Sequence, residues 1–196
     1  TPSPIPGVTS IACDVLETDL DLQALPDTLE GLVYCPGSIN LRPFKGLKPD
    51  TFRSDFELNL IGAVRTLQRI LPKIQQATAA SIVFFSTVAV QTGMPYHASV
   101  AAAKGAIEGL TRSLAAELAP SVRVNAIAPS LVNTPLADKF LNSQEKIERA
   151  GERHPLQRVG TPEEIAALAA FLLSEEAAWM TGQILTADGG IGTLKS

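Results

Sequence analysis

The chain lacks any run of Lys or Arg, and its formal net charge is −4. A concentration of positive charge is what attracts a nucleic-acid backbone or an anionic membrane, so neither partner is expected. No apolar segment approaches the length that crosses a bilayer, and the Pro-rich first six residues lack the charged and apolar regions of a signal peptide. We therefore expect a cytoplasmic protein that makes no use of a membrane.

Cysteine and histidine are also scarce, with two of each in 196 residues. Cys13 and Cys35 lie in or beside apolar strand patterns, and no other Cys or His stands at metal-ligand spacing from them. This arrangement is typical of reduced thiols in or near a hydrophobic core, and it argues against a disulfide or a zinc site. The sequence therefore predicts no metal centre.

Short apolar runs alternate with longer segments of helical periodicity. This alternation predicts an α/β protein with a parallel sheet covered on both faces. A chain of 196 residues with 45% hydrophobic content can bury one core, so residues 1–196 are predicted to form a single domain. The predicted strands are residues 8–12, 31–34, 82–85, 122–127 and 183–186.

Two helix starts can be read from the sequence. Pro49 and Asp50 open a segment whose apolar residues recur every three or four positions, and Asp50 or a neighbour can cap it. Thr161 precedes Pro162 and two glutamates, the pattern of a capping residue followed by a Pro at the first helical position. Residues 133–156 contain Pro135, Pro155 and many charges, and they are interpreted as a lid of short helices over the strand ends.

Several sequence blocks are similar, in the same order, to those of the short-chain dehydrogenase/reductase family. The first block resembles the apolar strand that ends at the catalytic Ser, and the second resembles the active-site helix with its Lys. The third resembles the nicotinamide-side loop. The last two blocks resemble the final helix and the final strand of the family fold. These blocks are residues 82–87, 100–119, 124–135, 162–166 and 180–190. The resemblance implies a Rossmann-like, doubly wound parallel sheet.

The resemblance also implies roles for individual residues. Thr87 stands in the slot of the catalytic Ser, Lys104 would bind the cofactor ribose, and Asn59 matches the helix Asn that holds a water in a proton relay. The remaining positions implied to contact cofactor are Asp14, Cys35, Gly37, Pro129, Val132 and Thr134.

Simpler interpretations of several residues stay open. Thr87 could be a strand-end hydroxyl that satisfies the backbone, and Lys104 could reach solvent from its helix. Asn59 could mark a helix distortion, and Asp14 could belong to a turn. His154 is most simply a surface residue of the lid.

Val100 is the chief departure from the family pattern, which has Tyr-x-x-x-Lys where this chain has Val100 and Lys104. Residues four apart share a helix face, so a phenol at position 100 would lie beside the ammonium. Valine cannot donate a proton. His97 would share that face if the helix began early, and Tyr96 is a second, more loop-like candidate for the proton donor.

The Gly-rich turn that opens the family fold is a further absence. Residues 9–15 instead resemble the family's third strand and the Asp that follows it. The chain is therefore interpreted as a partial domain that lacks the first β-α-β portion and belongs to a longer polypeptide.

The resemblance implies an oxidoreductase that uses NAD or NADP on a small carbonyl or alcohol. The alternative is a catalytically silent relative that serves as a dinucleotide-binding or partner-binding scaffold, an interpretation that Val100 favours. Family resemblance also implies a homodimer or homotetramer. The sequence does not indicate the substrate or the choice between NAD and NADP, because the residues that select the cofactor follow the absent second strand.

Overall fold

A computed structural model describes residues 5–16 and 20–194, and its centre is a parallel sheet. The sheet has four strands in the order β1 (Gly31–Val33), β2 (Ala80–Phe85), β3 (Val122–Pro129) and β4 (Ile184–Ala187). All three pairings are parallel. Each connection between strands contains helix, so the predicted α/β architecture is confirmed.

Helices cover the sheet on both sides. They are α1 (Pro49–Phe56), α2 (Gly62–Ile74), α3 (Ala89–Thr92), α4 (Ala98–Leu118), α5 (Asp138–Leu141), α6 (Gln144–Gly151) and α7 (Pro162–Leu173), with a π-helical segment at Glu57–Ile61 between α1 and α2. Within the described ranges, no helix combines the length and apolar character needed to span a membrane.

The core has one layer on each face of the sheet. On one face, Ile82, Phe84 and Val124 pack against residues of α2 and α4. On the other face, Val83 and Ile127 pack against Ala169 and Leu172 of α7. Alternate residues of β2 and β3 thus enter opposite layers, which is why both strands are continuously apolar.

The two predicted helix starts have different outcomes. The Thr161 hydroxyl accepts from the backbone N–H of Glu164, and the Glu164 carboxylate accepts from the N–H of Thr161, so the predicted cap of α7 is confirmed as a full capping box. Asp50 does not cap α1. The cap position is Lys48, which makes no side-chain cap, and Asp50 forms an ion pair with Arg53.

The strand predicted at residues 8–12 does not form. Residues 8–14 have no regular structure and are largely exposed. A strand needs a neighbour to satisfy its backbone, and within the described residues β1 hydrogen-bonds to β2 only. The segment is held instead by Arg65, whose guanidinium donates to the Val15 carbonyl at 2.9 Å. Cys13 is consequently exposed, so the prediction of a buried thiol there is wrong.

Residues 133–156 form short helices, as predicted. They comprise a 3₁₀ turn at Pro135–Ala137 followed by α5 and α6, with a small apolar cluster of their own that includes Ala137 and Leu141. The segment begins beside a bridge between Val132 and Gly160. It therefore folds back on the end of β3, while its action as a lid stays a prediction.

Candidate active site

The carboxyl end of β1 brings Gly37 against two side chains that come from different helices. A Cβ built on Gly37 would lie 3.2 Å from Oδ1 of Asn59 and 3.4 Å from Nζ of Lys104. Asn59 comes from the π-helical segment and Lys104 from α4, more than 40 residues later in the chain. The absence of a side chain at position 37 thus lets the backbone approach both polar atoms closely.

Asn59 is fully buried and held in one orientation. Its Nδ2 donates to the Asp55 carbonyl at 2.8 Å and to the Ser38 hydroxyl at 2.9 Å. A backbone carbonyl can only accept, so the nitrogen is the atom that faces Asp55 and Oδ1 is the atom that faces Gly37. Oδ1 is buried and has no hydrogen-bond partner among the described residues. An acceptor left unpaired in this way marks a place for a donor.

The π-helical segment explains how Asn59 reaches this place. It occupies Glu57–Ile61, and the Tyr34 hydroxyl donates to the Leu58 carbonyl at 2.8 Å. Such a widened turn frees carbonyls and redirects side chains, and it is frequent at functional sites. The interpretation of Asn59 as the mark of a helix distortion is confirmed, and the distortion is what aims its side chain at Gly37.

Lys104 is buried, with 8% of its surface exposed, and makes no hydrogen bond or ion pair within residues 5–16 and 20–194. Burial lowers the pKa of its amino group to about 8, against the opposing influence of the Cys35 thiol and the Asp55 carboxylate. Desolvation outweighs the attraction of these groups because none of them contacts Nζ closely enough to pair with it. Lys104 does not reach into solvent in the way the simpler interpretation required.

Cys35 follows β1 and is exposed, so the prediction of a buried thiol is wrong here as well. The chain leaves the sheet at Tyr34, and this puts the thiol at the mouth of the site beside Lys104. Partial burial raises the pKa of Cys35, and the nearby Lys104 ammonium opposes that rise. The predicted cofactor position at Cys35 therefore lies in the same place as Gly37 and Lys104.

Thr87 lies just beyond the end of β2 and is partly exposed. Its Oγ1 accepts from the N–H of Ala89 at 3.3 Å, so the hydroxyl satisfies a backbone donor as the simpler interpretation proposed. The hydroxyl hydrogen is not used in this bond. Thr87 can therefore still donate to a carbonyl oxygen, and its catalytic role stays a prediction.

Val100 lies in the first turn of α4, one turn before Lys104, and is 5% exposed. The position that would carry a phenol is thus apolar and closed. Position 100 therefore supplies no proton donor one turn before Lys104.

The His97 side chain is bonded to the loop that precedes α4. The helix begins at Ala98, so His97 is the cap residue and lies outside the regular helix. Its Nδ1 lies 2.8 Å from the Pro95 carbonyl, which can only accept, so the imidazole donates to the loop. Tyr96 is 58% exposed and has a φ of 72°, which places it in the loop as predicted.

Replacing His97 by Gln is expected to leave turnover unchanged, because the ring is bonded to the loop and is not on the Lys104 face. Gln keeps a donor for the Pro95 carbonyl. The measurement is the steady-state rate of the variant against the wild type, with a melting curve to confirm the fold. A large fall in kcat at equal stability would make His97 the proton donor after all.

The loop after β3 carries the other predicted cofactor positions. Pro129 ends the strand, and its carbonyl accepts from the N–H of Val88 at 3.1 Å. Val132 bridges to Gly160, and Thr134 leads into the 3₁₀ turn. All three are partly exposed at the carboxyl end of the sheet, the edge to which Thr87 also belongs. Asp14 stands apart in an exposed turn, where its carboxylate accepts from the N–H of Leu16 at 2.8 Å.

Comparison with known proteins agrees with this geometry. The profile of a family described as enoyl-(acyl carrier protein) reductase matches residues 14–192. The chain is 35% identical over 161 residues to 2,3-dihydroxy-2,3-dihydro-p-cumate dehydrogenase of Pseudomonas putida, an alignment that covers 81% of this chain and 62% of that protein.

Comparison with solved structures also finds dehydrogenases. A short-chain dehydrogenase/reductase described as glucose/ribitol dehydrogenase, from Brucella melitensis, is 32% identical with a TM-score of 0.78, covering 84% of this chain and 65% of that one. Gluconate 5-dehydrogenase of Burkholderia cenocepacia, in complex with NADP and tartrate, is 25% identical with a TM-score of 0.79, covering 86% and 66%. The chain belongs to the short-chain dehydrogenase/reductase family.

This member of the family spans about three fifths of the length of the dehydrogenase from Pseudomonas putida. Within the part of the chain that the structure describes, no group of His, Cys, Asp or Glu side chains is arranged to hold a metal ion.

His154 was predicted to lie on the surface of the lid, and this is wrong. The residue is 4% exposed. Its Nδ1 donates to the Ala150 carbonyl at 2.9 Å, so its Nε2 accepts from the Ser130 hydroxyl at 2.8 Å. The histidine thus ties the end of α6 to the loop after β3.

The residues that hold the Asn59 side chain in place were not predicted from the sequence. Asp55 is buried on α1, and its carboxylate accepts from the Ser38 hydroxyl at 2.6 Å and from Nδ2 of Asn40 at 2.7 Å. The sequence signal that could have indicated these contacts is the acidic residue Asp55, which lies four residues before Asn59 in a helix with many apolar residues. The contact of Ser38 with Asp55 depends on the path of the loop after β1, which no local pattern predicts.

Proposed function

We propose that the chain is the catalytic part of an NAD- or NADP-dependent oxidoreductase that acts on a small carbonyl or alcohol. The observation that carries the proposal is the meeting of Lys104 Nζ and Asn59 Oδ1 over Gly37. The meeting point is at the carboxyl end of a parallel sheet, the edge at which open α/β folds bind their ligands.

The residues present fit the ribose and nicotinamide portion of a dinucleotide. Lys104 has donors free for ribose hydroxyls, since it makes no bond within the described part of the chain. Gly37 lacks the side chain that would fill the space above these donors. Pro129, Val132 and Thr134 offer partly exposed backbone on the nicotinamide side. The bound cofactor would supply the hydride.

Proton transfer is expected to be the slow step of the proposed reaction. Thr87 can orient a carbonyl through its hydroxyl, and Asn59 Oδ1 can hold a water because it is buried and unpaired. Val100 supplies no proton. Since a positioned general acid contributes about 10²–10⁴-fold to a rate, we propose slow turnover with that water as the proton source.

The wider setting belongs to the same proposal. A small-molecule substrate, a homodimer or homotetramer, a cytoplasmic location and a substrate lid at residues 133–156 all accord with family membership. The relative from Burkholderia cenocepacia was crystallised with NADP. This favours testing NADPH first, with NADH beside it.

Binding of NADPH and NADH should be detectable as a rise in nicotinamide fluorescence on titration with the protein. A panel of small ketones and aldehydes is then added to the saturated complex, and the fall in nicotinamide absorbance measures turnover. We expect binding and slow reduction. Binding without any turnover would instead support the silent relative, and absence of binding to either dinucleotide would overturn the proposal.

Lys104→Arg serves as the matched variant for binding. It keeps the positive charge but puts a wider, planar group into a buried place that fits a lysine. We expect weaker dinucleotide binding at unchanged secondary structure, as judged by circular dichroism.

A further inference from the structure

The amino group of Lys104 is in an unusual situation for a lysine. The residue is 8% exposed, and no carboxylate forms an ion pair with it inside the described ranges. Burying an unpaired charge is costly, so such a lysine shifts toward its neutral form. A neutral amine is a nucleophile, whereas an ammonium is not.

The groups around Nζ form no hydrogen bond or ion pair with it among the described residues. Val100, one turn earlier on α4, is apolar and cannot hydrogen-bond to it. Gly37 contributes no side chain, and a Cβ placed there would be 3.4 Å from Nζ. The charged or titratable groups that influence Lys104 are the Cys35 thiol at the end of β1 and the Asp55 carboxylate of α1. The amine thus lies close to one glycine and to one unpaired acceptor, Oδ1 of Asn59.

We infer that Lys104 is a covalent site for small aldehydes and ketones, at which its amine forms an imine with the carbonyl carbon. The inference goes beyond the proposed oxidoreductase, because the bond forms without any dinucleotide. It follows from the same replacement that weakens the reductase: where the family has a phenol, Val100 leaves the neighbouring amine without a hydrogen-bonding partner.

The step is balanced as an addition followed by loss of water. The nitrogen lone pair attacks the carbonyl carbon, a C–N bond forms, and the C=O π electrons move to oxygen, which takes up a proton while the nitrogen loses one. The resulting carbinolamine loses its hydroxyl as water together with a proton from nitrogen, which leaves a C=N bond. The two hydrogens of the amine thus leave with the carbonyl oxygen.

Asn59 is suited to assist this step as a positioning residue. Its Oδ1 is buried, lacks a partner and faces the same point above Gly37 as Nζ. An acceptor at that point can take a hydrogen bond from the amine as it attacks, or from the water that leaves. The lowered pKa of Lys104, about 8, supports the inference because an appreciable fraction of the amine is then neutral near pH 7.

Reductive trapping tests the inference. The wild-type protein is mixed with butanal at low concentration and sodium cyanoborohydride, which delivers hydride to the imine carbon while nitrogen takes a proton. Digestion and mass spectrometry then give the extent of butylation at each lysine at early times. Mapping separates Lys104 from the N-terminal amine, which also has a low pKa.

Lys45 is the internal reference, because it is an exposed lysine of the same chain. At pH 7 we expect Lys104 to be labelled at least ~10-fold faster than Lys45, since each pKa unit changes the neutral fraction about tenfold. The ratio should fall as the pH rises toward 10, because the neutral fraction of Lys104 is already close to its maximum well above its pKa of about 8. Labelling of Lys104 no faster than Lys45 at pH 7, or a ratio that does not fall with pH, overturns the inference.

Two variants complete the test. Cys35→Ser removes the thiol, which could add to the aldehyde in its own right, and should leave the adduct at Lys104 intact; loss of the adduct would transfer the covalent role to Cys35. Asn59→Leu should slow labelling of Lys104 without changing that of Lys45. No dinucleotide is present in these experiments, so a failure of NADPH binding refutes the proposed oxidoreductase and not the imine.

Discussion

Replacing Val100 by Tyr should raise carbonyl reduction by about 10²–10⁴-fold, the usual contribution of a positioned general acid. Position 100 is in the first turn of α4, one turn before Lys104, so a phenol there shares the face of the amine. An ammonium beside it would lower the phenol pKa and ease proton transfer near neutral pH. Thr87 stays available to orient the substrate oxygen.

Val100→Phe is the matched control for this variant. It brings in the same ring, and therefore the same strain at a position that is 5% exposed, without the hydroxyl. The measurement is kcat for the most responsive ketone of the panel, with NADPH binding followed in parallel. Equal rates for the Tyr and Phe variants would show that the phenol contributes nothing, and rapid turnover by the wild type would show that another donor already acts.

Tyr at position 100 should also reduce trapping of Lys104 by butanal. A phenol next to the amine offers a hydrogen-bond partner, and its ionised form would favour the ammonium. The two activities of the site are thus expected to respond in opposite directions to one substitution. A rise in carbonyl reduction together with a fall in trapping would distinguish a Lys104 amine that forms imines from a lysine that only binds ribose.

The sheet and its main helices could be predicted from the sequence because their signals are local. The runs at 31–34, 82–85, 122–127 and 183–186 each overlap a strand, and their bounds differ from the strand bounds by at most two residues. The capping box at Thr161 was readable for the same reason, since its partners are three residues apart. The run at 8–12 gave an equal signal and formed no strand, because pairing with a neighbour decides whether an apolar run becomes a strand.

The candidate site was predictable only in part. Lys104, Asn59 and Gly37 were selected by resemblance, and the structure brings them to one point. The burial of His154 was missed because its partners are Ser130 and the Ala150 carbonyl, so it depends on how the lid folds back. Exposure of Cys35 was missed because an apolar neighbourhood in sequence does not reveal which way a strand end faces.

Replacing Lys104 by Met should stabilise the protein at neutral pH by about 3 kcal/mol, and the gain should disappear as the solution is made alkaline. The pKa of Lys104 is about 8 in the fold against 10.5 ordinarily, so below pH 8 the folded state carries a buried charge at a cost. Between pH 8 and 10.5 the unfolded chain holds this proton and the folded chain does not, so the stability of the wild type rises with pH through that window. Met removes the titration while keeping an unbranched side chain of similar length.

Other groups also titrate in alkaline solution. The decisive quantity is therefore the pH dependence of the difference in free energy of unfolding between the wild type and Lys104→Met. Urea unfolding of the wild type and Lys104→Met at several pH values between 7 and 11 gives the difference in free energy of unfolding at each. A Cys35→Ser background removes the one thiol that is coupled to Lys104. Lys45→Met, at an exposed position, should show a difference near zero that does not change with pH. If the difference in free energy of unfolding for Lys104→Met is also independent of pH, the Lys104 amine is not desolvated in solution. The proposed slow proton transfer and the proposed imine would then both lose their physical basis.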